Sequence, residues 1–265
     1  MDNRKERPFR KYNNKNSFKF EDDKENILEG KNAVIEAIKS GREIDKILFS
    51  SASLQSVGHI VALARKNGIT ALETDRHKLD KFGENHQGII AFCAAAEYKT
   101  IDDILALAKQ RGEKPLIILC DGITDPHNLG AIIRTAEVCG AHGIIIPKRR
   151  SAGLNAACAK AAAGALEYIP VAKCSNINAA IDELKAKNVF IFAADMNGQS
   201  MYEADFNIPC AIVIGSEGNG ISKSVLASCD FTVSIPQFGN ISSLNASNAA
   251  AVMLYEAVRQ RTKRG

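Results

Sequence analysis

The sequence predicts an α/β protein in two parts, a larger C-terminal domain on a parallel sheet and a smaller N-terminal α/β domain. From Leu116 onward, short apolar runs rich in Ile and Val alternate with segments of helical period. That repeated βα pattern places helices on both faces of a parallel sheet. Two of the runs, Ala211 to Ile214 and Phe231 to Ile235, stop at loops of Gly, Asn and Ser that lead into helix-like segments. Such loops open at the carboxyl ends of parallel strands, where open α/β sheets take their ligands.

Composition sets the bounds. A chain of 265 residues, 46% hydrophobic and 24% charged, suits one sizeable core or two modest ones. No apolar run approaches bilayer length, and the polar, basic N-terminus has no apolar segment behind it, so the expected setting is the cytoplasm, with no membrane span. Seven cysteines include no C-x-x-C pair and several sit in apolar runs, so they read as buried free thiols. Five scattered histidines offer no ligand spacing, and no metal is expected.

Residues 1–26 read as a disordered basic tail. Residues 1–20 carry seven Lys or Arg against two acids, interleaved with Phe9, Tyr12, Phe18 and Phe20. Basic side chains reach phosphates and rings stack on unpaired bases, so an RNA-engaging tail stands beside the plainer reading of a solvated one.

Residues 27–98 form the small domain. Lys31 to Lys39 places Val34, Ala37 and Ile38 on one face; Lys46 to Phe49 is strand-like; Leu54 to Lys66 is an amphipathic helix ending near Gly68. A strand at Ile69 to Leu72, a short polar helix around Arg76 to Phe82 and a strand at Gly88 to Cys93 complete it. Residues 99–113 are a linker helix, with Thr100 as cap and Ile101, Ile104, Leu105 and Ala108 on one face.

Residues 114–265 form the large domain. Leu116 to Cys120 is its first strand, Asn128 a candidate cap, and Leu129 to Cys139 a helix that carries Arg134 among apolar neighbours. From this segment alone, a surface arginine or a structural ion pair is the plainer reading of Arg134, with a functional arginine beside it. Strands follow at Gly143 to Ile146, around Ile169 to Val171, and at Val189 to Ala193, with helices near Leu154 to Ala165 and Ile177 to Lys187. Lys148-Arg149-Arg150 stands where a strand exits, either a phosphate contact or a solvated turn.

Two familiar readings of the glycine-rich loop fail. Gly215, Gly218 and Gly220 run G-x-x-G-x-G, the reverse of a dinucleotide fingerprint, and no acidic residue ends the next strand. Gly220 is followed by Ile221, so no lysine is placed for a terminal phosphate. What remains is exposed main chain, one carboxylate at Glu217, and Ser242, Ser243 and Asn245, an inventory suited to a polar, uncharged ligand.

The segments I-G-S-E-G-N-G-I and I-P-Q-F-G-N-I-S-S-L-N-A-S-N-A, with D-G-I-T-D-P-H-N-L-G-A-I-I-R-T-A upstream, resemble the three motifs of the SpoU (TrmH-like) branch of the SPOUT RNA ribose 2′-O-methyltransferases. The resemblance covers residues 114 to 262. Ile27 to Tyr98 is similar to the small RNA-docking domain of bacterial relatives that methylate a guanosine ribose in 23S ribosomal RNA. The resemblance implies a trefoil knot at the final helix, a homodimer and an RNA substrate. It also implies S-adenosylmethionine cradled by main chain at Gly215, Ile235 and Leu244, within catalytic surroundings of Asn128, Arg134, Glu217, Ser243 and Asn245. On that reading Glu217 fixes the Arg134 guanidinium. Ser243 and Asn245 also read as caps of the last helix. A transfer-RNA methyltransferase, a non-catalytic RNA-binding or ribosome-assembly protein on the same fold, and a small-molecule enzyme using another nucleotide remain alternatives.

Overall fold

The computed structural model describes residues 26–240 and 243–262, so the expected basic tail and Ser242 lie outside the described residues. The first domain runs β1 (Ile27–Glu29), α1 (Lys31–Lys39), β2 (Ile44–Ser50), α2 (Leu54–Lys66), β3 (Thr70–Thr74), α3 (Arg76–Leu79) and β4 (Ile89–Cys93). Its sheet has the order β1-β4-β2-β3, with β2 and β3 parallel and β4 antiparallel to both its neighbours. Helix α1 buries Val34, Ala37 and Ile38, as its period requires. The third strand begins after Ile69, not at it. The Ile69 amide is spent on the Ala64 carbonyl at the end of α2, after Gly68 turns the chain with φ +74°.

Helix α4 (Ile101–Arg111) joins the domains. Thr100 caps it: its side chain accepts from the Asp103 amide, and Asp103 accepts from the Thr100 amide in return. Gly112, at φ 68°, stops it. Ile101 and Ile104 are buried against the large sheet and Ala108 is buried as well, so the connecting helix is packed and not a free tether.

The second domain runs β5 (Leu116–Asp121), α5 (Pro126–Val138), β6 (Gly143–Pro147), α6 (Ala156–Ala162), β7 (Val171–Cys174), α7 (Ile177–Ala186), β8 (Phe190–Ser200), β9 (Cys210–Gly215), α8 (Lys223–Ser228), β10 (Phe231–Ser234) and α9 (Ala246–Thr262). The sheet order is β10-β8-β9-β5-β6-β7, and every adjacent pair is parallel. Strand period two divides the core. Ile118 and Cys120 face α5, α6 and α9, while Ile117 and Leu119 face α4, α7 and α8. Helix α6 is shorter than its alanine-rich sequence suggests, because Ala163 and Gly164 both turn left-handed, at φ 49° and 89°. Gly130 sets how closely α5 meets α6, since a Cβ there would fall 2.5 Å from the Cys158 carbonyl oxygen.

A partly buried ion pair seats the small domain on the large one. Asp45 of β2 accepts hydrogen bonds from the Tyr98 hydroxyl and the Lys173 ammonium, both at 2.6 Å. The same hydroxyl accepts from the Leu154 amide at 2.8 Å, and the Lys173 ammonium lies 3.7 Å from the Tyr98 ring centroid. Burial, reinforced by the Asp45 charge, pushes the Tyr98 phenol well above its ordinary value, so it remains a donor. Among the described residues no helix is long and apolar enough to cross a membrane.

Candidate active site

Strands β5 and β9 lie side by side and end together, with Asp121 opposite Gly215. The chain leaves β5 through a short loop and enters α5 at Pro126. Proline lacks the amide that a first helical residue leaves unused anyway, and its fixed φ suits that position. Asp125, not Asn128, is therefore the cap, its carboxylate accepting from the His127 amide at 2.9 Å. Starting the helix earlier than the sequence suggested frees Asn128. Its carboxamide donates to Glu217 Oε1 at 2.9 Å.

Beyond β9 the chain makes a tight turn in which the Ser216 and Gly220 amides donate to each other's carbonyls at 3.1 and 2.9 Å. Gly218 and Gly220 adopt φ 83° and 62°, which only glycine takes without strain. The turn is tied back to β5 by Asp121, which accepts from the Ser222 amide at 2.8 Å. Glu217 rides at its tip. A Cβ on Gly215 would come 2.2 Å from the Gly220 carbonyl carbon, so no larger residue fits beneath it.

The third loop follows β10. Asn245 Oδ1 accepts from the Ser247 and Asn248 amides, at 2.9 and 3.3 Å, and so caps α9. Its Nδ2 donates to Asn128 Oδ1 at 3.0 Å and also meets Glu217 Oε1. One side chain both caps α9 and joins the loops after β5 and β9. Asn128, Glu217 and Asn245 thus close a triangle that locks together the loops after β5, β9 and β10. Ser243 is exposed just before this cap.

Arg134 is exposed on α5, beside the fully buried Ile133. The expected link from Glu217 to this guanidinium is not formed. The Glu217 oxygen is occupied by two carboxamides, and among the described residues Arg134 has no carboxylate within 4.0 Å. A structural ion pair therefore does not explain the arginine.

Of the positions that the resemblance implies for the cofactor, Gly215 ends β9, Ile235 follows β10 half-buried against the core, and Leu244 precedes the Asn245 cap. They offer main-chain donors and acceptors and a glycine turn that permits close approach, a donor set that fits an uncharged base and ribose. Among the described residues no group of His, Cys, Asp and Glu could hold a metal ion. Burial pushes the Cys120 and Cys158 thiols up to about 12, so neither is a nucleophile at neutral pH. Sequence reasoning missed the Asp125 cap and the Asp121 tie. The Asp-Pro pair signalled the first, and nothing local signalled the second.

A family model described as the SpoU rRNA methylase family matches residues 115–255, more than half of the chain. The chain belongs to this family. A second model, described as the RNA 2′-O ribose methyltransferase substrate-binding domain, matches residues 27–99. YacO of Bacillus subtilis, assigned to the TrmH family of tRNA/rRNA methyltransferases, is 42% identical over 239 residues, 89% of this chain and 96% of its own. A Staphylococcus saprophyticus protein assigned to the same family is 40% identical over 238 residues, with the same coverage. Among solved structures, the SpoU methyltransferase AviRb from Streptomyces viridochromogenes, in complex with AdoMet, is 27% identical with a TM-score of 0.58, covering 89% of this chain and 90% of its own. An AdoMet-bound rRNA methyltransferase from Sinorhizobium meliloti is 26% identical with a TM-score of 0.56, covering 88% and 86%.

Proposed function

We propose that this SpoU-family protein is a cytoplasmic enzyme that transfers a methyl group from S-adenosylmethionine to the ribose 2′-hydroxyl of a guanosine in 23S ribosomal RNA. The observation that carries the reading is the Asn128–Glu217–Asn245 triangle, which ties together the loops after β5, β9 and β10 at the strand ends. Gly215, Ile235 and Leu244 hold the cofactor by main chain. Bound there, S-adenosylmethionine supplies a methyl group on a positively charged sulfur.

The chain's own residues supply alignment and charge. A guanidinium is not a free base at neutral pH, so Arg134 acts through charge and alignment. Its planar fork binds the phosphate beside the target ribose and polarises the hydroxyl, whose proton leaves to a phosphate oxygen or to water. Asn128 and Glu217 hold the loops at the distance this alignment needs, and Ser243 lines the same edge. Ile27 to Tyr98 docks the RNA, seated by Asp45, Tyr98 and Lys173.

The enzyme works as a homodimer. Helix α9 turns Ala246 and Ala250 inward onto its own domain, so those small residues serve internal packing, while Leu244 and Tyr255 stay 43% and 55% exposed and are available to a second copy. Sedimentation at micromolar concentration checks this, and a fully active monomer would count against it.

Mapping ribose methylation in total RNA with and without the gene tests the function. A single guanosine losing its mark in 23S ribosomal RNA is expected. Loss in a transfer RNA moves the substrate to that class, and no loss anywhere, with no S-adenosylmethionine binding, overturns the reading.

A further inference from the structure

We propose that a cleft on the far side of Glu217 seats a phosphate-bearing nucleotide of the RNA substrate, next to the one that is methylated. The inference rests on the RNA methyltransferase reading above. The cleft has a volume of about 640 Å³ and opens at the carboxyl ends of β5, β6, β7 and β9. That volume falls within the range of roughly 300–1,000 Å³ common to small-ligand sites. Its walls are Arg149 and Arg150 after β6, the start of α7 with Asn176 and Asn178, and the turn that carries Glu217.

The charges select an anion. Arg149 and Arg150 are exposed, and among the described residues neither has a carboxylate within 4.0 Å. The two acids in the wall are engaged with the protein, Asp121 with the Ser222 amide and Glu217 with Asn128 and Asn245. Helix α7, ten residues long, points its amino end into the same space. The Asn176 side chain takes only the Ala179 amide, so the first-turn amides of Ile177 and Asn178 have no acceptor within the helix. Two guanidinium groups and a helix amino terminus together form a phosphate site. Arg150 holds φ 58°, a costly conformation for a residue with a Cβ, and strain of this kind gathers at ligand sites.

The same charges favour a phosphate over the methyl donor, whose net charge is positive, and neither Ile235 nor Leu244 lines the cleft. Beyond the arginines the wall sets the hydroxyls of Ser175, Ser222 and Ser224 beside the apolar Pro147, Ile177 and Val225, which suits a ribose and base behind a phosphate. Glu217 is both a corner of the loop-locking triangle and part of the cleft wall, so a nucleotide in the cleft neighbours the reacting one.

The test uses the full chain and a fluorescent, mixed-sequence single-stranded RNA, with affinity read by anisotropy over a series of KCl concentrations. The double variant R149A/R150A should lose about tenfold in affinity. The slope of log affinity against log salt should become shallower by about 1.4, at roughly 0.7 for each phosphate no longer neutralised. S-adenosylmethionine binding by calorimetry should not change. R149K/R150K should restore most of the slope without restoring the full affinity, because lysine keeps the charge and loses the fork. K109A/R111A removes the same charge from α4, outside the cleft, and should do less. Equal losses in the two alanine variants, or none in R149A/R150A, overturn the cleft assignment. Adenosine 5′-monophosphate that binds the wild type but not R149A/R150A, while RNA affinity is unchanged, reassigns the cleft to a free nucleotide and also overturns it. A wild type that binds neither RNA nor S-adenosylmethionine overturns the proposed function, and the cleft assignment with it. RNA binding by the wild type with R149A/R150A unchanged removes the cleft alone.

Discussion

The carboxamide of Asn128 donates to Glu217 across 2.9 Å, joining two residues 89 positions apart in the chain. With Asn245 on the same carboxylate oxygen, this bond ties the carboxyl ends of three strands into one rigid rim. Two donors on one carboxylate oxygen hold a glycine-rich turn from two sides.

Reversing the polarity of that bond should break the rim. In Asn128→Asp a carboxylate faces a carboxylate, and the methyl-transfer rate should fall about a hundredfold, equivalent to roughly 3 kcal/mol. Glu217→Gln keeps an acceptor and loses only the charge, so its defect should be smaller. Single-turnover methylation of both variants checks the order, and an Asn128→Asp enzyme faster than Glu217→Gln would refute it.

Gly215→Ala should damage cofactor binding more than folding. The added Cβ would sit 2.2 Å from the Gly220 carbonyl carbon and 2.4 Å from the Ile221 nitrogen, both main chain. The turn must move outward, away from the position that lets backbone approach a ligand. Calorimetry should show S-adenosylmethionine affinity down more than about tenfold, while far-ultraviolet circular dichroism stays unchanged.

Much of this was legible in the sequence where the information is local. The face of α1 with Val34, Ala37 and Ile38, the Thr100 cap and the strand-ending loops all follow from residue spacing. The sheet order was not legible, because β9 inserts beside β5, pairing Leu116 with Cys210 across most of the domain's sequence. Asn128 was misread for a physical reason: a short carboxamide near a helix start suits a cap and a site equally well. Only the geometry of Pro126 and Asp125 removes Asn128 as the cap. Arg149 and Arg150 stayed open between a phosphate contact and a solvated turn because the other wall of their cleft, the start of α7, follows a different strand.

Stability should weaken as the pH falls below neutrality through His142. Its Nδ1 accepts from the Leu116 amide at 3.0 Å and its Nε2 bonds Glu113 at 3.0 Å, so the neutral ring fits the site. Burial lowers its pKa below the ordinary value of 6.5, against a smaller raising effect of Glu113. The unfolded chain therefore binds a proton more readily than the folded one. The contribution is full above the unfolded value, about 6.5, and is lost as pH falls through the lower folded value. Urea midpoints taken from about pH 7 to pH 5 should decline, and His142→Gln should flatten that part of the profile. An unchanged slope in the variant would remove His142 as the cause.

Arg134 separates catalysis from binding. It is exposed and free of carboxylate partners among the described residues, so truncating it leaves no buried charge behind and should cost little stability. The cofactor is assigned to main chain elsewhere, so Arg134→Ala should keep S-adenosylmethionine affinity within a few fold. The methylation step should nonetheless slow by about two orders of magnitude or more, because both the phosphate anchor and the polarising group are gone. Arg134→Lys should recover RNA affinity before it recovers rate, since a point charge holds a phosphate but cannot present the planar fork that aligns the hydroxyl. Single-turnover rates, RNA affinity and thermal midpoints for the two variants separate these contributions. A near-normal rate in Arg134→Ala would take the residue out of the active site, and a lysine variant that restores rate and affinity equally would reduce its role to charge alone.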